Sequence, residues 1–379
     1  MKKTITGLLL LALAFVVTNA EAAYDLASER QKALNWVSQQ RLRNGTTYNW
    51  VAVNATATYG YTYDNALAVV AYTSLGDLAS ARAILGFLAQ YQLPDGSFYD
   101  SMFQTNGAVR SATRSSGNQA WVLYAIAFYT HQTGDASYLS MADRLANWLI
   151  ARQDPADGGI TGGLNSDGSA RLWTSTEHNL DAYFALKLYG VVTSNAFYLD
   201  GATRCKNWLL NVGWNAAEKR FNNGENDPAK FLDGQSLGTI FMNDIGDFEK
   251  RGTLLKYTDQ NFRIRKVFQI GSKRQIYWGY EYGSKDGSLW WEGTEQMAVA
   301  YGRSGSGARE LDGINHILNS DNPTLLGSDN NGNGGFQYAM AAGTNQLGTV
   351  EQPSSGLWLI LAINDYLKDR PTVFYPTIY

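Results

Sequence analysis

A sixfold repeat is the feature of this 379-residue sequence that most constrains its fold. Five apolar, helix-like segments begin near a side-chain amide, which is Asn65, Gln119, Asn179, Gln235 or Gln296. A sixth segment of the same kind begins around Gly356. The intervals between these positions lie between 54 and 61 residues, and a nearly constant period of this size indicates a repeated supersecondary unit.

Each unit contains two helices of different character. The repeat segments are apolar on most faces, as in residues 66–72 and 357–362, and a helix that is apolar all round is buried. The segments between them carry polar side chains on one side, such as Arg30, Lys32 and Gln39, which predicts half-exposed helices. Strand-like alternation is nearly confined to a short hairpin around residues 263–282.

Six inner and six outer helices that alternate along the chain predict an all-α fold, a closed (α/α)6 barrel. An open helical solenoid is the alternative architecture. The inner helices argue against it, because a solenoid would leave one side of them exposed.

The first 22 residues have the pattern of a secretory signal peptide. Lys2 and Lys3 precede an apolar run at residues 8–17, and Ala20-Glu21-Ala22 is a small-residue cleavage site. The apolar run is too short to span a bilayer. We therefore expect an exported protein, periplasmic or secreted, whose residues 23–379 form a single barrel domain.

Composition excludes several partners and cofactors. The net charge of −3 provides no basic face for nucleic acid. Cys205 is the single cysteine, so an internal disulfide cannot form, and its apolar neighbours predict a core position. The three histidines lack metal-ligand spacing. We predict no metal or other cofactor, and a monomer.

One loop could hold calcium. Residues 329–335 are rich in Asp, Asn and Gly, and calcium prefers oxygen ligands. The loop lacks the spacing of a known calcium-binding loop, so an ordinary surface turn is the favoured interpretation.

Acidic residues recur where the inner helices begin. They are Asp64, Glu177, Asp233, Glu292, Glu295 and Glu351, with Asp181 one turn further inside. In a barrel of this kind all inner helices point the same way, so these starts meet at one mouth. An acid in a first turn can simply stabilise its helix through the helix dipole. That explanation does not account for the aromatic residues in the same loops, which include Tyr61, Tyr63, Trp173, Trp290 and Trp291.

Carboxylates beside aromatic rings suit carbohydrate chemistry. The apolar faces of sugar rings stack on Trp and Tyr, and sugar hydroxyls hydrogen-bond to acids and amides. Glycosidic hydrolysis needs one protonated carboxyl group and one carboxylate. This mouth would supply both, so a poly- or oligosaccharide is the expected substrate.

Two segments resemble motifs of the six-hairpin glycosidase superfamily, in particular its glucoamylase-like enzymes. Leu172-Trp173-Thr-Ser-Thr-Glu177 opens the third inner helix, and Val350-Glu351-Gln352-Pro-Ser-Ser-Gly-Leu-Trp358 opens the sixth. The resemblance implies that Glu177 is the general acid and Glu351 the base of an inverting glycoside hydrolase. A single glutamate follows Trp173 where glucoamylases have a pair, so their substrate, starch, is not implied.

The remaining candidates are predicted to bind substrate or to support the acid. Asp181 lies one helical turn after Glu177, where its like charge would raise the pKa of Glu177. His178 is either a sugar contact or a structural histidine. Glu292 and Glu295 share a helix face, and either could replace Glu351 or bind sugar hydroxyls beside Trp290 and Trp291. Asp64, between Tyr61 and Tyr63, is predicted to bind substrate.

Other function classes remain open. A polysaccharide lyase would need a base and a group that neutralises a uronate, for which Arg110, Arg114 and Arg171 are candidates. A catalytically silent sugar-binding barrel is a further alternative. A terpene-cyclase toroid is disfavoured, because the acidic Asp-x-Asp-Asp motif is absent.

Overall fold

Twelve α-helices alternate along the described residues of the computed structural model, which are 24–270, 272–320, 334–340 and 350–374. The helices are α1 (Leu26–Gln39), α2 (Thr62–Leu75), α3 (Leu78–Tyr91), α4 (Ser116–Thr133), α5 (Leu139–Ile150), α6 (Thr176–Val192), α7 (Ala196–Trp208), α8 (Asp233–Asp244), α9 (Phe248–Phe262), α10 (Trp291–Arg303), α11 (Gly307–Ser320) and α12 (Pro353–Leu367). A π-helical turn at Leu209–Gly213 extends α7.

The even-numbered helices form a closed inner ring. Each packs on the next even-numbered helix, and α12 returns to pack on α2. Each outer helix from α3 to α11 packs on the inner helix before it, and α1 packs on α12. The inner helices are the most buried elements, as α2 and α4 illustrate. This arrangement confirms the predicted all-α (α/α)6 barrel and excludes the open solenoid.

Short antiparallel strands fill the connections that run from an outer helix to the following inner helix. They are β1 (Leu42–Arg43), β2 (Thr46–Thr47), β3 (Tyr59–Tyr61), β4 (Ser101–Phe103), β5 (Val109–Ser111), β6 (Arg114–Ser115), β7 (Thr161–Leu164), β8 (Ala170–Thr174), β9 (Trp214–Asn215), β10 (Arg220–Phe221), β11 (Arg263–Ile270), β12 (Lys273–Tyr280), β13 (Leu289–Trp290) and β14 (Ala339–Met340). The β11–β12 pair is the hairpin expected around residues 263–282. The connections in the other direction are tight turns, so one mouth of the barrel carries nearly all of the loop structure.

The repeat amides attach these long connections to the inner helices. Asn65, for example, accepts a hydrogen bond from Val51 N–H (2.8 Å) and donates one to Val51 C=O (3.0 Å). Gln119 grips both backbone groups of Phe98 in the same way, at 2.8 and 2.9 Å. Asn179 and Gln235 repeat the pattern with Ile160 and Phe221. Because buried backbone groups need partners, each amide fixes the path of one loop across a helix start.

The last two repeats depart from this pattern. Gln296 accepts a hydrogen bond from Ser236 Oγ (2.7 Å) on the neighbouring inner helix. In the sixth repeat Ser355 Oγ donates to Gln337 C=O (3.1 Å). Gln296 therefore joins two inner helices, and in the sixth repeat a serine hydroxyl contacts the preceding segment where the first four repeats use an amide.

Cys205 is fully buried, as predicted. Residues 1–22, which carry the signal-peptide pattern, and most of the loop at 329–335 lie outside the described residues. Within the described residues, no helix is long and apolar enough to cross a membrane.

Gln119→Ala tests the importance of the amide grip. The substitution leaves the buried N–H and C=O of Phe98 without their partner, and each orphaned group costs about 1–3 kcal/mol. We expect the free energy of unfolding, measured by urea denaturation, to fall by roughly 2–4 kcal/mol. Gln90→Ala, on the exposed face of α3, is the matched control. An equal loss in both variants would contradict the proposed role of the amide.

Candidate active site

A cavity of about 400 Å³ opens at the loop-rich mouth of the barrel. All six inner helices, or the residues just before them, contribute to its wall. Five carboxylates line it, namely Asp64, Glu177, Asp181, Asp233 and Glu292. Its aromatic wall consists of Tyr61, Tyr63, Trp121, Tyr282, Trp290 and Tyr338.

The acids reach the cavity because the inner helices are parallel. Asp64, Glu177, Asp233 and Glu292 all lie in the first turn of their helices. Asp181 lies one turn further along α6. Gly117 at the start of α4 allows the close approach of α6, since a Cβ there would lie 2.6 Å from His178 Cδ2.

Burial dominates the electrostatics of the site. It raises the pKa of Glu177 from 4.5 to about 7. The free energy equivalent of this change is roughly 3 kcal/mol. The opposing effect of a helix N-terminus is only about 0.3–1 kcal/mol, so burial prevails. The expected cause was the charge of Asp181, but the influence runs the other way: burial, and then Glu177, raise the pKa of Asp181 well above its usual value.

Glu292 has the same pKa in a different environment. Burial raises its pKa to about 7, and the charge of Glu177 contributes to the increase. Tyr63 Oη donates a hydrogen bond of 2.5 Å to Glu292 Oε1, and Ser354 and Tyr338 also form hydrogen bonds that lower its pKa. Tyr63 is held in turn by the indole N–H of Trp358 (2.9 Å). Hydrogen bonds to the charged form therefore favour an ionised Glu292, whereas burial alone acts on Glu177.

His178 is the histidine of this cavity. Burial lowers its pKa to about 4, so its imidazole is neutral at pH 7. The ring centroid lies 5.3 Å from that of Trp173, which is 50% exposed at the rim. Among the described residues, the buried Nδ1 atom has no hydrogen-bond partner.

The structure brings most of the predicted site residues together. Eight of them line the cavity, namely Tyr61, Tyr63, Asp64, Glu177, His178, Asp181, Trp290 and Glu292. Trp291 lies elsewhere, fully buried and packed against Tyr277. Glu295, one turn beyond Glu292, is also fully buried, and burial raises its pKa to about 8.

Glu351 is near the mouth but not among the residues that line the cavity. It forms an antiparallel bridge with Gln337, between the hydrogen bonds Tyr338 N–H to Val350 C=O and Gln352 N–H to Phe336 C=O. Its neighbours Tyr338 and Gln352 do line the cavity. Since successive side chains of an extended segment point to opposite sides, the register that presents Gln352 turns Glu351 away.

Eight of the described lining residues are not among the predicted site residues, namely Gly117, Asn118, Trp121, Asp233, Tyr282, Tyr338, Gln352 and Ser354. Asp233 was expected at this mouth only as an acid of a helix start. Trp121 had a sequence signal, because it lies two residues after the repeat amide Gln119. Tyr282 lies two residues after β12, at the end of the expected hairpin, and the hairpin pattern does not indicate which of its residues faces the cavity. Tyr338 lies in a short segment without periodicity, so nothing in the sequence marks it.

The three arginines that a lyase would need form contacts outside the cavity. Arg110 lies over the ring of Tyr59, 4.5 Å from its centroid. Arg114 pairs with Asp95 at 2.9 Å, and Arg171 hydrogen-bonds to Asn165. The cavity lining contains none of the three.

Comparisons with known proteins identify relatives of the fold. No family model and no curated protein match the sequence. Among solved structures, the chain is similar to a wild-type glycosidase, with 13% identity, 91% of this chain and 98% of that chain covered, and a TM-score of 0.65. It is also similar to a possible member of the GH105 family from Salmonella enterica serovar Paratyphi A, with 13% identity, 96% and 100% coverage, and a TM-score of 0.62.

A D-mannose isomerase has a similar structure too, with 12% identity, 90% and 97% coverage, and a TM-score of 0.64. Together these structures show that the chain has the (α/α)6 toroid fold that these proteins share. Identities this low establish the fold, and the fold carries both a glycosidase and an isomerase, so chemistry has to be argued from the site.

The raised pKa of Glu177 makes stability depend on pH. A carboxyl group whose pKa is higher in the folded state stabilises the protein below its unfolded-state pKa, and this contribution is lost as pH rises through the folded value of about 7. Glu177→Gln should therefore leave the free energy of unfolding unchanged at pH 4 and increase it at pH 8, by on the order of 1–3 kcal/mol.

Urea denaturation at the two pH values measures this difference. Glu225→Gln is the matched control, because Glu225 is exposed on a loop. Equal stability of Glu177→Gln and the wild type at pH 8 would show that burial of Glu177 is not costly.

Proposed function

We propose that the chain is an exported glycoside hydrolase that cleaves an oligo- or polysaccharide with two carboxyl groups. One observation carries this proposal. The pKa of Glu177 and the pKa of Glu292 are each about 7 in the same cavity, but only Glu292 accepts several hydroxyl hydrogen bonds. Such a difference in environment separates an acid from a base. Tyr61, Trp121 and Trp290 supply the apolar faces on which sugar rings stack.

In the proposed reaction Glu177 is protonated at rest and Glu292 is ionised. Glu177 donates its proton to the glycosidic oxygen as the bond to the anomeric carbon breaks. Glu292 removes a proton from a water molecule, whose oxygen bonds to the anomeric carbon. The products are two sugars with free hydroxyl groups, and transfer of the proton from Glu292 back to Glu177 restores the site.

Inversion is the stereochemical outcome we expect. Glu177 is on α6 and Glu292 is on α10, and α8 separates these helices in the inner ring. Inverting enzymes keep their carboxyl groups far enough apart, roughly 6.5–9.5 Å, to admit the attacking water. The anomeric configuration of the first product, observed by NMR, tests this expectation.

Two assignments of the base compete. The resemblance to glucoamylase-like enzymes implies Glu351, whereas the cavity lining favours Glu292. We choose Glu292, because it faces the cavity and is held by hydroxyl donors. The remaining acids, Asp64, Asp181 and Asp233, are assigned to sugar hydroxyls, since burial raises the pKa of each well above its usual range.

A second candidate function is supported by His178. A neutral, buried imidazole with an unpartnered Nδ1 could remove a proton from a bound sugar, as isomerisation requires. One structural relative is described as a D-mannose isomerase and another as a glycosidase variant in complex with glucose. Conversion of a free aldose without hydrolysis of any glycan, lost in His178→Ala, would favour this alternative.

Export and the monomeric state belong to the same proposal. The signal pattern at residues 1–22 supports export, and cleavage near Ala22 would leave a barrel that begins at residue 23. Sequencing the N-terminus of protein recovered outside the cytoplasm tests export. The mass of the protein in solution tests the monomeric state.

Three glutamine variants test the carboxyl groups. On the substrate that a polysaccharide panel identifies, Glu177→Gln and Glu292→Gln should each lower kcat by about 10²- to 10⁴-fold, because each removes one proton-transfer group. Glu351→Gln should stay near the wild type, and thermal unfolding checks that all three fold. Loss of activity in Glu351→Gln but not in Glu292→Gln would identify Glu351 as the base. Full activity in all three variants, with sugar binding retained, would indicate a silent binding barrel.

The pH dependence of kcat/KM tests the roles separately. Activity needs a protonated Glu177, so it should decline above the pKa of about 7. It also needs an ionised Glu292, so it should decline at lower pH. Tyr63→Phe removes a hydrogen bond that lowers the pKa of Glu292, and the acidic limb should move to higher pH. Tyr61→Phe should leave that limb in place whatever its effect on KM, and identical profiles for both variants would refute the role of Tyr63.

A further inference from the structure

Aromatic side chains close the barrel beneath the candidate active site. Trp121 on α4 lines the site cavity. One and two turns further along the same helix, Tyr124 and Phe128 line a second cavity of about 360 Å³ at the opposite mouth. Leu188 on α6 and Asn364 on α12 also belong to this second cavity. The two cavities therefore lie at opposite ends of one helical passage, separated by the side chains between them.

The segment after α12 supplies a central part of this separation. α12 ends at Lys368 in the left-handed conformation (φ 54°), and the chain then turns back towards the barrel. The ring of Phe374 stacks on Phe184 with centroids 4.1 Å apart. Its centroid is also 5.1 Å from Tyr124 and 5.4 Å from Trp121. Phe374 is buried, so it fills the space directly behind Trp121.

Specific polar contacts hold Phe374 in place. Its N–H donates to Tyr124 Oη at 2.8 Å. Arg303 donates to the carbonyl oxygens of Val373 (2.7 Å) and Phe374 (3.0 Å), and a 2.7 Å ion pair with Asp365 orients the guanidinium. Phe374 has a φ of 53°, a value that is rare for a bulky residue. An unfavourable backbone conformation held by the Tyr124 hydroxyl and the Arg303 guanidinium indicates a built feature rather than incidental packing.

Trp121 connects Phe374 to the carboxyl groups of the site through direct contacts. Its indole forms a hydrogen bond with Asp181. Its ring also packs edge-on against Tyr63, with centroids 5.5 Å apart, and Tyr63 donates to Glu292. Trp358, the second donor to Tyr63, packs against Trp121 as well, at 5.8 Å. The floor residue that Phe374 supports is thus connected to both sides of the site.

We propose that Phe374 is a positioning residue that seals the barrel behind Trp121 and fixes the depth at which a sugar sits in the active site. This proposal rests on the proposed hydrolase function. Trp121 lines the cavity and packs against Phe374. Loss of the Phe374 ring should therefore displace a bound sugar relative to Glu177 and Glu292.

Phe374→Ala, with and without benzene, tests the proposal. The substitution leaves an apolar hole between Trp121, Tyr124 and Phe184, and such a hole binds a small aromatic molecule. We expect kcat/KM to fall about 10- to 100-fold, because a displaced floor shifts the bound sugar. Benzene should restore most of the lost activity and raise Tm in Phe374→Ala but not in the wild type.

Phe262→Ala is the matched control, since Phe262 is a fully buried phenylalanine on the outer helix α9. It should lose stability with kcat/KM near the wild-type value, and benzene should not change its activity. Wild-type kcat/KM in Phe374→Ala would overturn the proposal while leaving the hydrolase function intact.

A wild type that cleaves no glycan would instead refute the proposed function. In that case benzene binding alone, measured as a rise in Tm, tests whether Phe374 seals the barrel. A rise in Phe374→Ala only would support Phe374 as the seal, and no rise would overturn it.

Discussion

The rest of the structure depends on one interaction, the pair of hydrogen bonds between a side-chain amide and the backbone of one loop residue. Asn65, Gln119, Asn179 and Gln235 each satisfy both backbone groups of a residue that precedes their helix. Without that contact, long loops would lie free above the inner helices. With it, the loops form a collar around one mouth, and the acids of the helix starts are withdrawn from bulk water. The raised pKa values of Glu177 and Glu292 follow from this enclosure.

The site concentrates buried carboxyl groups, and their burial costs free energy of folding. Five carboxyl groups line one cavity, and burying ionised groups is unfavourable unless protons or hydrogen bonds compensate. Here the hydrogen bond from Tyr63 compensates at Glu292, and burial raises the pKa of Asp181 and of Asp233 well above the usual value, which favours their neutral forms. A site that binds protons so readily is suited to proton transfer, which explains why a stability penalty coincides with the proposed chemistry.

The fold was readable from the sequence because a repeat of similar helices leaves few alternatives. The mouth that carries the site also followed, since parallel inner helices bring Asp64, Glu177 and Glu292 together. Individual side chains were harder to place. Whether Glu351 or Gln352 faces the cavity depends on the register of one short bridge, and Tyr338 and Phe374 reach the barrel axis through segments without periodicity. Such positions are set by tertiary contacts, which a single sequence does not display.

The packing of α1 on α12 has a consequence for how the chain reaches this state. The sixth hairpin joins the first helix of the barrel to the last, so contacts between distant parts of the sequence complete the ring. Contacts of this kind slow folding, because a long loop must close before they form. The inner ring cannot be completed until synthesis has delivered α12. Until then the apolar faces that the inner helices bury in the ring lack their full set of partners, so the unfinished chain exposes them to solvent.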